Sequence, residues 1–384
     1  MGDYITVNKI KNKENNHFIP YSISNKWGFI PQEKQFGEGN TYSKTNKATN
    51  YIVEPNTFAY NPARINVGSI AYQNNQFPVI VSSLYEIFKA KKNLNDEFLM
   101  NWFKTEKFTR QIQKLQEGGV RQYFFIDKMQ ESRITIPFIS EQEEISKTLN
   151  QISNLIKLQQ RKMEQLKLLK KAMLQKGFTN KSAPTLRFKG FSKAWTEYPL
   201  GNLGKACSGY GFPNSEQGGN KGIPFYKVSD MNLAGNEDEM IYANNYVTDA
   251  QIDRNNWKPI VDVPAIFFAK VGAAVLLNRK RLCKRPFLLD NNTMAYSLNK
   301  NILSTQFTKS LFETINLPSF IQVGALPSYN TNDIESIKVK IPKIDEQEKI
   351  GILLKKIERL ITRQQSKIKK LQSTKQFLLQ NMFI

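Results

Sequence analysis

Two stretches of the chain carry the same hydrophobic rhythm. In the first, apolar residues recur at Ile145, Leu149, Ile152, Ile156, Met163, Leu166 and Met173. In the second they recur at Ile350, Leu354, Ile357, Ile361, Ile368, Leu371 and Leu378. Steps of four and three are the spacing of a coiled-coil seam. No Gly or Pro interrupts residues 141–176 or 352–384. Each stretch therefore predicts a helix of about 38 residues, roughly 57 Å long. The seam expects apolar residues at 159 and 364, where both are Gln, and at 170 and 375, where both are Lys. If the helices pair antiparallel about a pseudo-two-fold axis, Gln159 and Gln364 meet near the midpoint. A polar seam pair trades stability for register; the alternative is that both are tolerated edge positions.

The two rhythms belong to a gapless internal repeat at an offset of 205 residues. Ile134-Thr-Ile-Pro137-Phe-Ile-Ser-Glu141-Gln142-Glu143 corresponds to Val339-Lys-Ile-Pro342-Lys-Ile-Asp-Glu346-Gln347-Glu348. Such a period is too long for a solenoid unit and implies two domains of one kind. Pro137 and Pro342 should each end a strand. Ser140 with Glu143, and Asp345 with Glu348, have capping-box spacing and predict the helix starts.

The segments before each helix, 1–133 and 183–338, read as globular domains of mixed structure. Strand-like runs include Phe77–Ser82 and Ala265–Ala269, and helices are expected over Glu97–Gln116 and Ser304–Ile315. Pro55-Asn-Thr-Phe58 lines up with Pro264-Ala-Ile-Phe267, but elsewhere the two differ almost entirely. The expectation is an α+β chain with two globular mixed domains separated by two long helices in an antiparallel, pseudo-two-fold coiled coil. The domains are expected at 1–140 and 183–345, with spacer helices at 141–182 and 346–384.

Charge narrows the function. The 384 residues hold 55 Lys and Arg against 33 Asp and Glu, a formal net charge of +22. Residues 1–180 hold 26 basic against 16 acidic side chains, so the excess is not confined to one tail. With 25 Phe, 15 Tyr and 4 Trp, this is a folded, evenly basic chain suited to a polyanion. Two cysteines, Cys207 and Cys283, lack metal-ligand spacing and suit a reducing cytoplasm. No apolar run is long enough for a membrane span, and the start has no signal-peptide pattern.

Catalytic signatures are missing. Tyr60-Asn61-Pro62-Ala63-Arg64 departs from the Asn/Asp-Pro-Pro-aromatic motif of an adenine methyltransferase and reads as a turn. Gly37-Glu-Gly39 and Gly209-Tyr-Gly211 are isolated glycine pairs, weak as phosphate or cofactor loops. There is no Walker A, and His17 is the sole histidine, which removes His-based nuclease and triad chemistry.

Leu186-Arg-Phe-Lys-Gly190-Phe-Ser-Lys-Ala-Trp195, followed by Leu200-Gly201, resembles the segment that opens a target-recognition domain in Type I restriction-modification specificity subunits. The Pro-x-x-x-Glu-Gln-x-x-Ile element at Pro137 and Pro342 is similar to that family's passage into its spacer helices. The resemblance covers essentially the whole chain. It implies a non-catalytic cytoplasmic host-defence protein, bacterial by family habit, that recognises a bipartite double-stranded DNA target. It also implies two partner methyltransferase subunits, restriction and translocation subunits, and no cofactor on this chain; S-adenosylmethionine, ATP and Mg belong to the partners. One departure stands out: Met1-Gly2-Asp3-Tyr4 lines up with Leu200-Gly201-Asn202-Leu203, so residues 184–199 have no counterpart in the first half.

Reading DNA calls for Arg or Lys toward guanine, Asn or Gln toward adenine, and cations toward phosphate. The first-domain candidates are Asn61, Arg64 and Asn66, then Ser24, Asn25 and Lys26, with Arg121 and Tyr123. In the second domain they are Tyr226, Lys227 and Ser229, then Arg279, Lys280, Arg281, Lys284 and Arg285, and finally Ser328, Tyr329 and Asn330. The Arg279–Arg285 cluster suits phosphate better than bases. Solvated surface or a structural turn is the plainer reading of each residue. Three alternatives stay open: a specificity chain of a fused restriction-methylation system, a nuclease, and a structural coiled-coil adaptor.

Overall fold

A computed structural model describes residues 1–37, 47–119, 122–178, 183–321 and 327–383. The chain divides into two compact units, the first of residues 1–160 and 366–384, the second of residues 161–365. Each unit contains half of each long helix, Ile139–Gly177 and Ile344–Asn381.

In the first unit four antiparallel strands lie in the order Ile5–Val7, Glu86–Ala90, Thr57–Tyr60, Ile70–Gln73. Side chains alternate across a strand, and both faces are used. Phe58, Tyr60 and Phe88 turn toward the helices and join Phe98, Phe103 and Phe108. Ala59, Ala71 and Ile87 turn the other way, onto a second layer containing Val53, Val79 and Val81. The start of the first long helix packs against the end of the second: Ile145, Leu149, Leu379 and Phe383 share one core. Burying each such side chain contributes about 1.5–3 kcal/mol.

The second unit repeats the sheet with identical order: Gly204–Ser208, Thr293–Leu298, Ala265–Ala269, Lys280–Cys283. Here the end of the first long helix lies beside the start of the second, with Lys170 Nζ 2.6 Å from Glu358 Oε1. Within each unit, then, the two helix halves run antiparallel. The second layers differ. Tyr51–Val53 pairs antiparallel with Val79–Val81, whereas Ile223–Tyr226 pairs parallel with Leu288–Leu289.

The register of the repeat corrects one expected match. Phe58 pairs with Phe88 and Ile266 with Tyr296, so Phe58 corresponds to Ile266, not Phe267. Phe267 faces the opposite layer, with Tyr226 and Cys283. A one-residue slip exchanges the faces of a strand. The chain start matches as expected. The Met1 amine donates to Ser132 O at 2.6 Å and the Leu200 amide to Ile337 O at 2.9 Å, each followed by a short 3-10 turn.

The helix starts also differ from expectation. They begin at Ile139 and Ile344, which leaves Ser140 and Asp345 inside the first turn. The repeated Gln does the joining. Gln142 accepts from the Asn95 amide (2.8 Å) and donates to Asn93 O and Pro137 O (3.1 and 2.9 Å). Gln347 does the same with Ser304 (3.0 Å), Ile302 and Pro342 (both 2.9 Å). The helix expected over Glu97–Gln116 is two, Asp96–Trp102 and Glu106–Leu115, because Thr105 accepts from the Phe108 amide and restarts the helix.

Only one of the two expected strands before the long helices forms. Lys338–Ile341 pairs with Thr196–Pro199. Residues 132–138 carry no strand, and among the described residues the backbone of Ile134–Ile136 has no hydrogen-bond partner. In the second unit the covering segment adds Trp195, packed on Phe178 and Phe307, and Arg187, forked onto Glu346 at 2.7 and 2.8 Å.

Candidate nucleic-acid interface

In the first unit the candidates converge. Tyr21–Ser24 and Gly28–Pro31 form a hairpin whose tip is Asn25-Lys26-Trp27. Ser24 Oγ accepts from the amides of Lys26 and Trp27 (3.2 and 3.3 Å), and Gly28 adopts φ +66°, which lets the short turn close. Trp27 is 67% exposed, with Lys26 Nζ 4.8 Å from its ring centre.

Beside the tip runs the loop after Thr57–Tyr60. Asn61 Oδ1 accepts from the Ala63 amide at 3.0 Å, an Asx turn that leaves its NH2 group without a partner among the described residues. Arg64 and Asn66 are exposed. Ser69 Oγ donates to Ile23 O at 2.9 Å, and a Cβ at Gly68 would lie 3.7 Å from that of Asn25, so loop and hairpin touch. The Phe124 amide donates to Pro62 O, bringing half-buried Tyr123, stacked on Phe125, to the same place. Arg121 lies outside the described residues.

The second-unit candidates scatter. Tyr226 is buried and donates to Met240 O at 3.0 Å; Tyr329 is buried and donates to Ala269 O. Both hold the core and are withdrawn as base contacts. Lys280 and Arg281 lie within the strand Lys280–Cys283 and turn inward. Lys280 Nζ donates to Asn278 Oδ1 and Ile315 O (2.6 and 2.7 Å), and burial pushes its pKa down to about 8. Arg281 donates to Asn236 O and Lys280 O (2.6 and 2.9 Å). Burial, then neighbouring Arg279, lowers its pKa. Neither is placed to grip phosphate.

Asn330 is exposed, but its Oδ1 caps a short helix through the Asp333 amide. Ser328 bridges to Val271. Lys227 Nζ reaches Gln217 Oε1 at 3.2 Å, and Arg279 Nη1 donates to Asn232 Oδ1 at 2.7 Å. Lys284 pairs with Glu239. Ser229, Lys284 and Arg285 are exposed. Among the cationic candidates of this unit, the exposed ones are therefore Lys284 and Arg285, with the outer end of Arg279.

A groove of about 930 Å³ begins at the hairpin tip of the first unit. It runs past Asn74 and Asn75 to Lys104, Lys147, Lys157 and Lys375. These groove residues and Trp27 were not among the sequence candidates. Trp27 was the legible one, an aromatic in a run of Ser, Asn and Lys. The lysines come from the two long helices and from the turn between Asp96–Trp102 and Glu106–Leu115, and converge only in the fold.

Among the described residues, no helix is long and apolar enough to cross a membrane. Residues 1–168 and 192–373 match the family described as the Type I restriction modification DNA specificity domain. A specificity subunit assigned to the type I restriction enzyme MjaX of Methanocaldococcus jannaschii is 26% identical over 287 residues, 69% of this chain. That organism's type I restriction enzyme MjaVIII specificity subunit is 24% identical over 314 residues, 74% of this chain. The matches span 61% and 68% of those proteins' own lengths. The fold resembles the type I restriction-modification S subunit of M. genitalium, with a TM-score of 0.58 and 15% identity over 100% of this chain and 94% of that one. It also resembles the HsdS subunit of Thermoanaerobacter tengcongensis, with a TM-score of 0.52 and 14% identity over 100% and 95%. With its two matched regions covering both sheets and most of both long helices, the chain belongs to the Type I restriction-modification DNA specificity family.

Proposed function

We propose that each unit reads one half of a bipartite double-stranded DNA target, and that the chain directs partner methyltransferase and restriction subunits to it without catalysing a reaction itself. One observation carries this reading: two sheets of identical strand order bear loops of different sequence and different second layers. A common scaffold with unlike tips suits two unlike half-sites. In the first unit the readers are Arg64 and Asn66, exposed beside the Ser24–Trp27 turn, with Asn61 and Tyr123 at its margin. In the second they are Lys227, Ser229, Arg279, Lys284 and Arg285, the last three toward phosphate. Arg or Lys can fork onto guanine, and Asn onto adenine.

The long helices suit partner docking. Leu155 and Leu158 in the first unit are exposed, as are Leu168, Leu169, Ile352 and Leu360 in the second. Leu155 and Leu360 are equivalent positions of the repeat, which fits two copies of one partner. S-adenosylmethionine, ATP and Mg would sit on those partners. Gln159 and Gln364, also equivalent, would set helix register. Replacing both by Ile should raise thermal stability and broaden oligomeric state in sedimentation; unchanged behaviour in both would remove the register role.

The test is exchange. Residues 1–140 replaced by the corresponding domain of another family member, with partners present, should change one half of the methylated site and leave the other intact. A change in both halves would end the two-reader reading. Affinity for the target should fall steeply with salt, log K declining by about 0.9 per phosphate neutralised.

A further inference from the structure

The two units treat one place in their shared scaffold in opposite ways. The helices Asp96–Trp102 and Thr305–Thr314 correspond through their N-caps, Asn95 and Ser304, both held by the repeated Gln. From there Met100 corresponds to Lys309 and Lys104 to Glu313. On the long helices Ser153 corresponds to Glu358 and Lys375 to Lys170. In the second unit these positions form a closed ion cluster. Lys170 lies 2.7 Å from Glu313 and 2.6 Å from Glu358, and Lys309 lies 2.8 Å from Glu358.

In the first unit both acids are gone, Glu313 giving way to Lys104 and Glu358 to Ser153, while Lys170 is kept as Lys375 and Lys309 becomes Met100. Lys104, Lys157 and Lys375 face one another across the groove, and none forms an ion pair among the described residues. Two carboxylates line the groove elsewhere, but both are engaged. Asp96 accepts from the Tyr72 hydroxyl at 2.9 Å and Glu97 from Asn150 Nδ2 at 2.8 Å. Lys147, on the same wall, lies beside Glu144 at 3.4 Å. Burial, then Lys375 and Lys157, pushes the pKa of Lys104 down to about 8, although its side chain still reaches solvent. Asn101 lines the groove with 1% exposure; its Oδ1 accepts from Lys104 Nζ at 3.5 Å, and its Nδ2 has no hydrogen-bond partner among the described residues. A buried N–H donor without a partner is costly, and three ammonium groups that form no ion pair among the described residues line the same groove, which suits an anionic acceptor.

We propose that Lys104, Lys157, Lys375 and the Asn101 amide form a phosphate-binding site, which in the DNA-bound protein takes a backbone phosphodiester of the half-site read by the first unit. The assignment to DNA rests on the proposed function, since the groove is continuous with the Ser24–Trp27 tip. The site itself does not. A tetrahedral oxyanion offers acceptors to several donors at once and replaces the carboxylates that the second unit supplies internally.

The test has two arms, both on the full chain. In the first, inorganic phosphate is titrated and followed by phosphorus NMR line broadening. Broadening should saturate in the wild type, fall at least fivefold in Lys104→Met and Lys375→Met, and persist in Lys300→Met, a surface control in the second unit. Absence of saturable binding in the wild type, or equal loss in Lys300→Met, overturns the site. Circular dichroism melts show that the variants fold; should Lys104→Met not fold, Lys104→Gln replaces it. In the second arm the salt slope for target duplex is measured with partners present. A decrease of about one for each lysine removed, with base preference unchanged, assigns the phosphate to the DNA backbone. Phosphate binding with an unaltered DNA slope keeps the site and assigns it to a free phosphate or nucleotide. If the complex does not bind DNA, the reading of the whole chain fails while the first arm still decides the site. Binding of an acidic peptide without response to phosphate overturns it.

Discussion

Gln347→Ala is expected to unfold the second unit well before the first. The side chain is buried, with 1% exposure, and makes three hydrogen bonds that tie the long helix to the Ser304 amide, Ile302 O and Pro342 O. Removing it leaves one donor and two acceptors facing a space too apolar to replace them all. Each net hydrogen bond contributes about 1 kcal/mol, and a stranded buried group costs more, so the loss should reach about 3–4 kcal/mol. A domain holds only about 5–15 kcal/mol in total. Hydrogen exchange by mass spectrometry checks this. Protection should fall across Thr305–Thr314 and Lys338–Ile341, while Asp96–Trp102 stays protected. Gln142→Ala should give the mirror result. Equal loss in both units, or a change below about 1 kcal/mol, would show that the repeated Gln is not the joint.

The repeat was legible because it is written in residues that the fold cannot vary without losing both helices. The seam positions recur at a fixed period, and the burial of Leu149, Ile156, Leu354 and Ile357 follows it. The Glu-Gln-Glu motif was visible, but its work was misplaced. Capping statistics favour Ser140 and Asp345, whereas Gln reaches backwards across tertiary structure, which local spacing does not encode. The Phe58 match failed by one residue because both faces of that strand are apolar, so alternation gave no phase. Lys280 and Arg281 looked like surface cations. They sit in a strand with a helix on one side and a second layer on the other, and burial was decided by those layers. The strand expected to end at Pro137 does not form: a strand needs a partner, and in the second unit Thr196–Pro199 is the partner of the equivalent strand Lys338–Ile341. Arg64, Asn66 and Ser24–Lys26 were chosen from residue type alone, and the fold brings them together. The lysine groove was not, since Lys104, Lys157 and Lys375 approach only through helix packing.

Lys309→Met is expected to destabilise the second unit by about 3–5 kcal/mol, the range for removing one partner of a buried ion pair. Its side chain is 6% exposed, and the ammonium group is bonded to Asp238 and Glu358, with Glu313 at 3.9 Å. Without it, Glu313 and Glu358 share Lys170 alone. The pH dependence follows from the directions of the shifts. The pKa values of Lys309 and Lys170 are raised against burial by their carboxylates, so their stabilisation is complete below about pH 10 and is lost above it. Lys309 and Lys170 hold Glu358 below the usual carboxylate range, a stabilisation present above about pH 5 and lost in acid. Burial raises Glu313, which opposes that term. In the first unit the alkaline sign is reversed. Lys104 is held near pH 8, so the folded state gives up its proton first and gains stability as the pH rises from about 8 toward 10.5. Exchange protection measured from pH 8 to 10.5 should therefore fall in the helix Thr305–Thr314 and rise in the helix Asp96–Trp102, after correction for intrinsic rates. Lys309→Met should flatten the first trend and Lys104→Met the second. Parallel trends in the two helices would mean that the ion cluster and the lysine groove do not govern the units that contain them.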